Sequence, residues 1–189
     1  MTKSEIRKLI TERKKRLTME EITERSNVLA GKLFELDEYK NADTVFVYIS
    51  FNQEVRTAPI IERALNDGKR VAAPRIISCD PFGIKLPLSV QYMEFVYLDE
   101  NTVWREYKGI REPADGAVAD EDALVIVPGL AFGRDLNRIG YGGGFYDRYF
   151  ACSERELFKV ALCYGFQVFD SLEVDGHDVK IDKLISDLP

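Results

Sequence analysis

The chain has 189 residues, 46% of them hydrophobic and 31% charged, the balance of an ordinary globular protein long enough to bury a substantial core. Acidic residues outnumber basic ones by 32 to 26, for a net charge of −6, which argues against a general nucleic-acid or anionic-membrane surface. No apolar run reaches the ~18 residues of a bilayer span, and the charged start does not read as an export leader.

The three cysteines, Cys79, Cys152 and Cys163, are odd in number and lack metal-like spacing, so they read as reduced thiols. These features predict one cytoplasmic domain over residues 1–189, without nucleic-acid or membrane partners. The first sixteen residues hold Lys3, Arg7, Lys8, Arg13, Lys14, Lys15 and Arg16 against Glu5 and Glu12. The ordinary reading of such a run is a solvated helix face.

Apolar residues at 6, 9, 10 and 17 have helical spacing from Ser4 to Arg16, and Met19, Ile22, Leu29, Leu33 and Leu36 repeat it, so the chain opens with a helical pair. Thr18 before "MEE" reads as the cap of the second helix. "TVFVYIS" (Thr44 to Ser50) has the β-branched and aromatic density of a strand buried on both faces. A helix from Ala58 to Gly68 and a strand over Arg70 to Ala73 complete a βαβ unit.

Further strands are predicted at Tyr92 to Leu98, in "ALVIVPGL" from Ala123, and in "FKVALCYG" from Phe158, with a helix over Gly144 to Cys152 and a surface loop over Asp115 to Glu121. The fold class is therefore α/β: three layers, a mainly parallel sheet with helices on both faces, and the N-terminal helical pair. Ligands in such sheets bind beyond the carboxyl ends of the strands.

That rule draws attention to "RIGYGGGFYDRY", Arg138 to Tyr149, which lies past the strand beginning at Ala123 and opens a helix. It matches neither the dinucleotide fingerprint, because Phe145 stands where glycine is needed, nor the phosphate loop with its Lys-Ser or Lys-Thr. Glycines that expose backbone N–H groups, a helix start and Arg138 still suit a phosphate. A tight loop with no ligand is the plain alternative.

Asp147, in the first helical turn, either stabilises the helix dipole or holds Mg2+ against phosphates. Asp175, Asp178 and Asp182 form a second acidic group whose ordinary role is in caps and solvated loops. Glu54 follows the first strand and suits an amine-bearing heterocycle or a helix start. His177 is the sole histidine, and without a glycine-flanked serine elbow it does not suggest nucleophilic hydrolysis; a structural role is expected for it.

Together, "VPGLAF", "NRIGYGGGFYDRY", the N-terminal "KSEIR" and the late "HDVKID" resemble the 5-formyltetrahydrofolate cyclo-ligase family over almost the whole chain. The resemblance implies closure of 5-formyltetrahydrofolate into 5,10-methenyltetrahydrofolate by an enzyme using ATP and Mg2+, and a monomer is expected. It implies ATP contacts from Lys3, Arg7, Arg138, Ile139, Gly140, Tyr141, Gly142, Gly143, Gly144, Phe145 and Tyr146, with Arg138 and Tyr146 catalytic. Substrate contacts fall to Ile49, Glu54, Gly142, Gly144, Phe145 and Tyr146, and the metal to Asp147 and Asp182.

The chain departs from the family pattern at "AFGRDLNRIG", with Gly133 where aspartate is common and Leu136 where a turn glycine is common. Gly133 and Asp135 are therefore expected to build that turn differently. Tyr48, Phe51, Tyr141 and Phe145 are the candidates to stack on a folate ring. Two other readings stay open: a sugar-phosphate isomerase or coenzyme A transferase on a similar sheet, and a non-catalytic module binding nucleotide or folate.

Overall fold

Thr2 and Thr18 each start a helix by the same device. The threonine hydroxyl accepts an N–H three residues on, and that residue's glutamate, Glu5 or Glu21, returns a carboxylate to the threonine N–H. The computed structural model describes residues 1–78 and 91–188, so Cys79 lies outside the described residues.

In chain order the helices are α1 (Lys3–Lys14), α2 (Met19–Phe34), α3 (Asp37–Asn41), α4 (Ala58–Asn66) and α5 (Phe145–Cys152). The strands are β1 (Thr44–Val47), β2 (Arg70–Ser78), β3 (Gln91–Tyr97), β4 (Trp104–Tyr107), β5 (Ile110–Pro113), β6 (Ala123–Ile126), β7 (Ala131–Gly133), β8 (Arg138–Ile139), β9 (Leu157–Cys163), β10 (Val168–Phe169) and β11 (Lys183–Ser186). A 3-10 turn covers Gly165–Gln167.

Six strands form the main sheet in the order β11-β9-β6-β1-β2-β3. All its pairings are parallel except β2 with β3, which run antiparallel at the edge. The predicted surface loop lies along that edge, where Ala119 N–H donates to Phe95 O over 2.9 Å.

The central strands are apolar on both sides because helices or a second sheet cover each side. Val45, Val47, Leu124, Ile126, Val160 and Leu162 pack against Leu29, Leu33, Tyr39 and Ile60 from α2, α3 and α4. Their alternates Phe46, Val125, Val127, Ala161 and Cys163 face Phe145, Tyr146, Tyr149 and Phe150 near or on α5. This is the expected α/β arrangement, with one amendment: α5 shares its face with a small sheet of order β10-β7-β8.

The two helices of the expected N-terminal pair pack in different places. α2 joins the main core, whereas Ile6 and Ile10 of α1 pack on Leu130, Ala131, Ile139 and Leu172 around the small sheet. The first helix is thereby set beside the glycine-rich segment that follows β8. Gln167, 2% exposed, fixes the turn that carries the chain from β6 to β7, since its amide donates to Gly129 O and Leu130 O over 3.1 and 3.0 Å.

Candidate active site

A cavity of about 830 Å³ lies beyond the carboxyl ends of β1 and β6, where the open-sheet rule places ligands. Its wall includes every residue from Arg138 to Arg148, together with Lys3, Arg7, Ile49, Phe51 and Glu54. The nucleotide-loop and folate-side positions singled out in the sequence thus share one space.

The loop after β8 needs its glycines at two points. Gly142 has φ 96° and Gly144 φ 63°, left-handed conformations that a side chain strains. Gly144 caps α5 without a side-chain hydrogen bond, so backbone N–H groups at the start of the helix stay directed towards the cavity end of the helix axis.

Arg138 is only 5% exposed. It donates from Nη2 to Asp147 Oδ1 over 2.7 Å and from Nη1 to Pro128 O over 3.3 Å, while its Nε has no protein partner. The guanidinium lies 5.9 Å from the Tyr146 ring centroid. The Tyr146 hydroxyl is buried without a hydrogen-bond partner, and burial raises its pKa far above the ordinary tyrosine range. Tyr146 therefore stays neutral at physiological pH and offers its hydroxyl as a hydrogen-bond donor.

α1 brings Lys3 and Arg7 to the same end, four residues apart on one face. Arg7 Nε donates to Gly140 O over 2.9 Å and so ties the helix to the loop. Lys3 Nζ donates to Asp175 over 2.6 Å and, closer still, to Asp178. Burial works against the Lys3 ammonium, yet the two carboxylates outweigh it and hold its pKa above the ordinary lysine value.

At the other end, Glu54 is 9% exposed. Burial raises its pKa, against hydrogen bonds from the Tyr141 hydroxyl at 2.6 Å and Phe51 N–H at 2.9 Å. A buried carboxylate at a cavity wall suits a ligand that can donate hydrogen bonds to it. Tyr48, Phe51, Tyr141 and Phe145 all line the cavity, as does His177.

Asp182 is the exception among the expected site residues. It stands at the amino-terminal start of β11, whereas the cavity lies at carboxyl ends. Its carboxylate accepts Lys159 N–H and pairs with Lys159 Nζ, both over 2.7 Å, and it does not line the cavity. Asp175 and Asp178 are the members of that acidic group that do. Among the described residues no three His, Cys, Asp or Glu side chains are grouped to hold a metal ion.

Sequence reasoning missed three contributors. The β4–β5 hairpin presents Tyr107, Lys108, Ile110 and Arg111 to the cavity, and its short strands carry no clear apolar alternation. Arg148 spans from Gly143 O at 3.0 Å to Gln91 O at 3.4 Å. Lys14, expected on a solvated face, is 6% exposed. The signal was present, because Lys14 follows Ile6 and Ile10 at intervals of four on the buried stripe of α1.

A cationic glycine loop and a buried carboxylate sharing the wall of one cavity define an α/β ligand-binding protein whose site lies at the strand carboxyl ends. The 5-formyltetrahydrofolate cyclo-ligase family matches residues 1–187, and the chain belongs to that family. It is 30% identical to the 5-formyltetrahydrofolate cyclo-ligase of Mus musculus over 192 residues, covering 95% of this chain and 91% of the mouse protein. It is 28% identical to the enzyme of Escherichia coli K12 over 185 residues, covering 94% and 96%.

Among solved structures, the 5,10-methenyltetrahydrofolate synthetase of Aquifex aeolicus superposes with a TM-score of 0.81 at 27% identity, over 100% of this chain and 91% of that one. The synthetase of Mycoplasma pneumoniae gives 0.72 at 26% identity, over 99% of each chain.

Proposed function

We propose that the protein uses ATP to convert 5-formyltetrahydrofolate into 5,10-methenyltetrahydrofolate, releasing ADP and phosphate. The observation that carries this reading is the shared cavity, which puts the anion-suited loop and the buried Glu54 carboxylate within one enclosure. Two ligands that must react with each other need such a common space.

The formyl oxygen attacks the γ-phosphorus and ADP departs with the electron pair of the broken P–O bond. N10 then attacks the activated formyl carbon, its proton is lost to solvent or phosphate, and the C–O bond breaks to release phosphate. In such phosphoryl transfer a protein chiefly positions groups and neutralises charge. Lys3, Arg7, Arg138 and the N–H groups from Gly142 to Phe145 hold the phosphates, and the Tyr146 hydroxyl donates to an oxygen that gains charge.

Mg2+ fits this cavity as a cation held by one carboxylate, phosphate oxygens and water, an arrangement it favours over an all-protein cage. Asp147 is the residue we place on it, and Asp182 is left out. Bound there, the ion supplies positive charge against the phosphates. Glu54 accepts hydrogen bonds from the pterin, beside Ile49, while the four cavity-lining aromatics offer faces for stacking.

A cytoplasmic setting is supported by Cys152 and Cys163, which are free thiols, with burial pushing Cys163 up to about 12. Among the described residues no helix is long and apolar enough to cross a membrane.

The test follows methenyl product by its near-ultraviolet absorbance with and without ATP. Product is expected only with ATP, and Asp147→Asn is expected to lower kcat by about 100-fold, the scale of losing one charge-stabilising group. Nucleotide binding with no product from the unaltered protein contradicts the enzymatic reading and favours the binding-module alternative.

A further inference from the structure

Lys14 does not line the cavity, yet it is buried behind it and hydrogen-bonded into its wall. Its Nζ donates to the Tyr141 hydroxyl over 3.3 Å and lies 5.8 Å from that ring's centroid. The Tyr141 hydroxyl has one proton, which it gives to Glu54 Oε1 over 2.6 Å. The remaining oxygen of Glu54 accepts Phe51 N–H over 2.9 Å. Tyr141 itself sits between Gly140 and Gly142, so this chain of donors joins α1 to the glycine loop and the loop to the Glu54 carboxylate.

We infer that Lys14 is a positioning residue which, through Tyr141, holds Glu54 ionised and oriented for the amine-bearing ring of the substrate. The inference rests on the cyclo-ligase reading for the identity of that ring. The polarity of the chain supports it: an ammonium can only donate, a carboxylate only accept, and a hydroxyl between them is fixed in one sense. Burial raises Glu54 and lowers Lys14, and each opposes the other's shift by its charge. Lys14 is 6% exposed and Glu54 meets the cavity with 9% of its surface.

Other groups share this environment. Arg56, from the same loop as Glu54, also favours the carboxylate. Tyr48, Tyr141 and Tyr146 lie within electrostatic reach of Glu54, Tyr164 of Tyr141, and Cys163 of Lys14. The tyrosines stay neutral across the pH range of interest, because burial raises all four. Among the described residues, Lys14 and Arg56 are cations whose charge favours the Glu54 carboxylate.

The test follows the side-chain carboxyl carbon of Glu54 by 13C NMR through a pH titration of unliganded protein, with the resonance identified by its loss in Glu54→Gln. Lys14→Met and Tyr141→Phe are each expected to raise the midpoint by about one pH unit. Lys15→Met, at the exposed C-terminal cap of the same helix, serves as the control and is expected to leave it in place. In turnover by Lys14→Met, the acid limb of kcat/KM for 5-formyltetrahydrofolate should move up with the midpoint, KM for that substrate should rise about tenfold, and KM for ATP should hold.

A midpoint unmoved in both Lys14→Met and Tyr141→Phe overturns the inference, as does a midpoint that moves without the kcat/KM limb. Two variants guard against a folding failure in one. Absence of turnover in the unaltered protein rejects the cyclo-ligase reading instead, and the carboxyl titration still decides the relay.

Discussion

Arg138 is buried against one carboxylate, and that pairing sets the cost of replacing it. Arg138→Met removes a charge that Asp147 faces directly and leaves Pro128 O without its donor. A loss of about 3 kcal/mol is expected, measured by chemical denaturation, together with weaker nucleotide binding. Gly144→Ala is milder. The backbone at φ 63° is costly for any residue with a Cβ, so about 1 kcal/mol of stability should be lost. The same denaturation series checks it, and an unchanged midpoint would contradict the left-handed cap.

The turn between β7 and β8 shows how an element can keep its shape with altered residues. Leu136 adopts φ 67°, the conformation that a glycine takes more easily, and its side chain packs at the edge of the core under α5. Asp135 compensates by accepting from Asn137 N–H at 3.2 Å, Asn137 Nδ2 at 2.8 Å and Leu172 N–H at 3.4 Å. Gly133 makes room for this, because a Cβ there would collide with the Asp135 carboxylate. Gly133→Ala should cost about 1–3 kcal/mol. Combined with Asp135→Ala, the losses should fall short of additive in a double-mutant cycle, since both act on one contact.

The elements legible in the sequence were those whose residues carry a strong period or a dense apolar run. β1, β6 and β9 are covered on both faces, so Val, Ile, Phe and Ala fill consecutive positions. β4 reads "WREY" and β5 "IREP", each too short and too polar to announce a strand, and β11 gains its state from pairing with β9. At the cavity the glycine loop and Glu54 were readable because their chemistry is local. Lys14 and the exclusion of Asp182 were not, since both depend on what another element brings alongside.

For the whole molecule, ligand binding and pH should act on stability through the same enclosure. ATP at 100 times its dissociation constant should add about 2.7 kcal/mol to the folded state, read as a concentration-dependent rise in Tm. On the acid side, burial tends to raise Asp178, but Lys3 and Asp175 N–H prevail and hold it below the ordinary aspartate value of 3.8. A depressed carboxylate contributes its stability fully above that value and loses it as pH falls through the lower, folded one. Tm should therefore fall on acidification below about pH 4, and Asp178→Asn should flatten that part of the curve.

The ties from Lys3 to Asp175 and Asp178 join positions 172 and 175 residues apart in the chain. During synthesis the first helix leaves the ribosome long before its acidic partners exist, and β11 is made later still. Domains generally fold as units once enough chain has emerged. A nascent chain stalled before Asp175 should therefore carry the glycine loop and Glu54 yet leave Lys3 unanchored, so that end of the cavity is expected to assemble only once residues 175–178 have emerged.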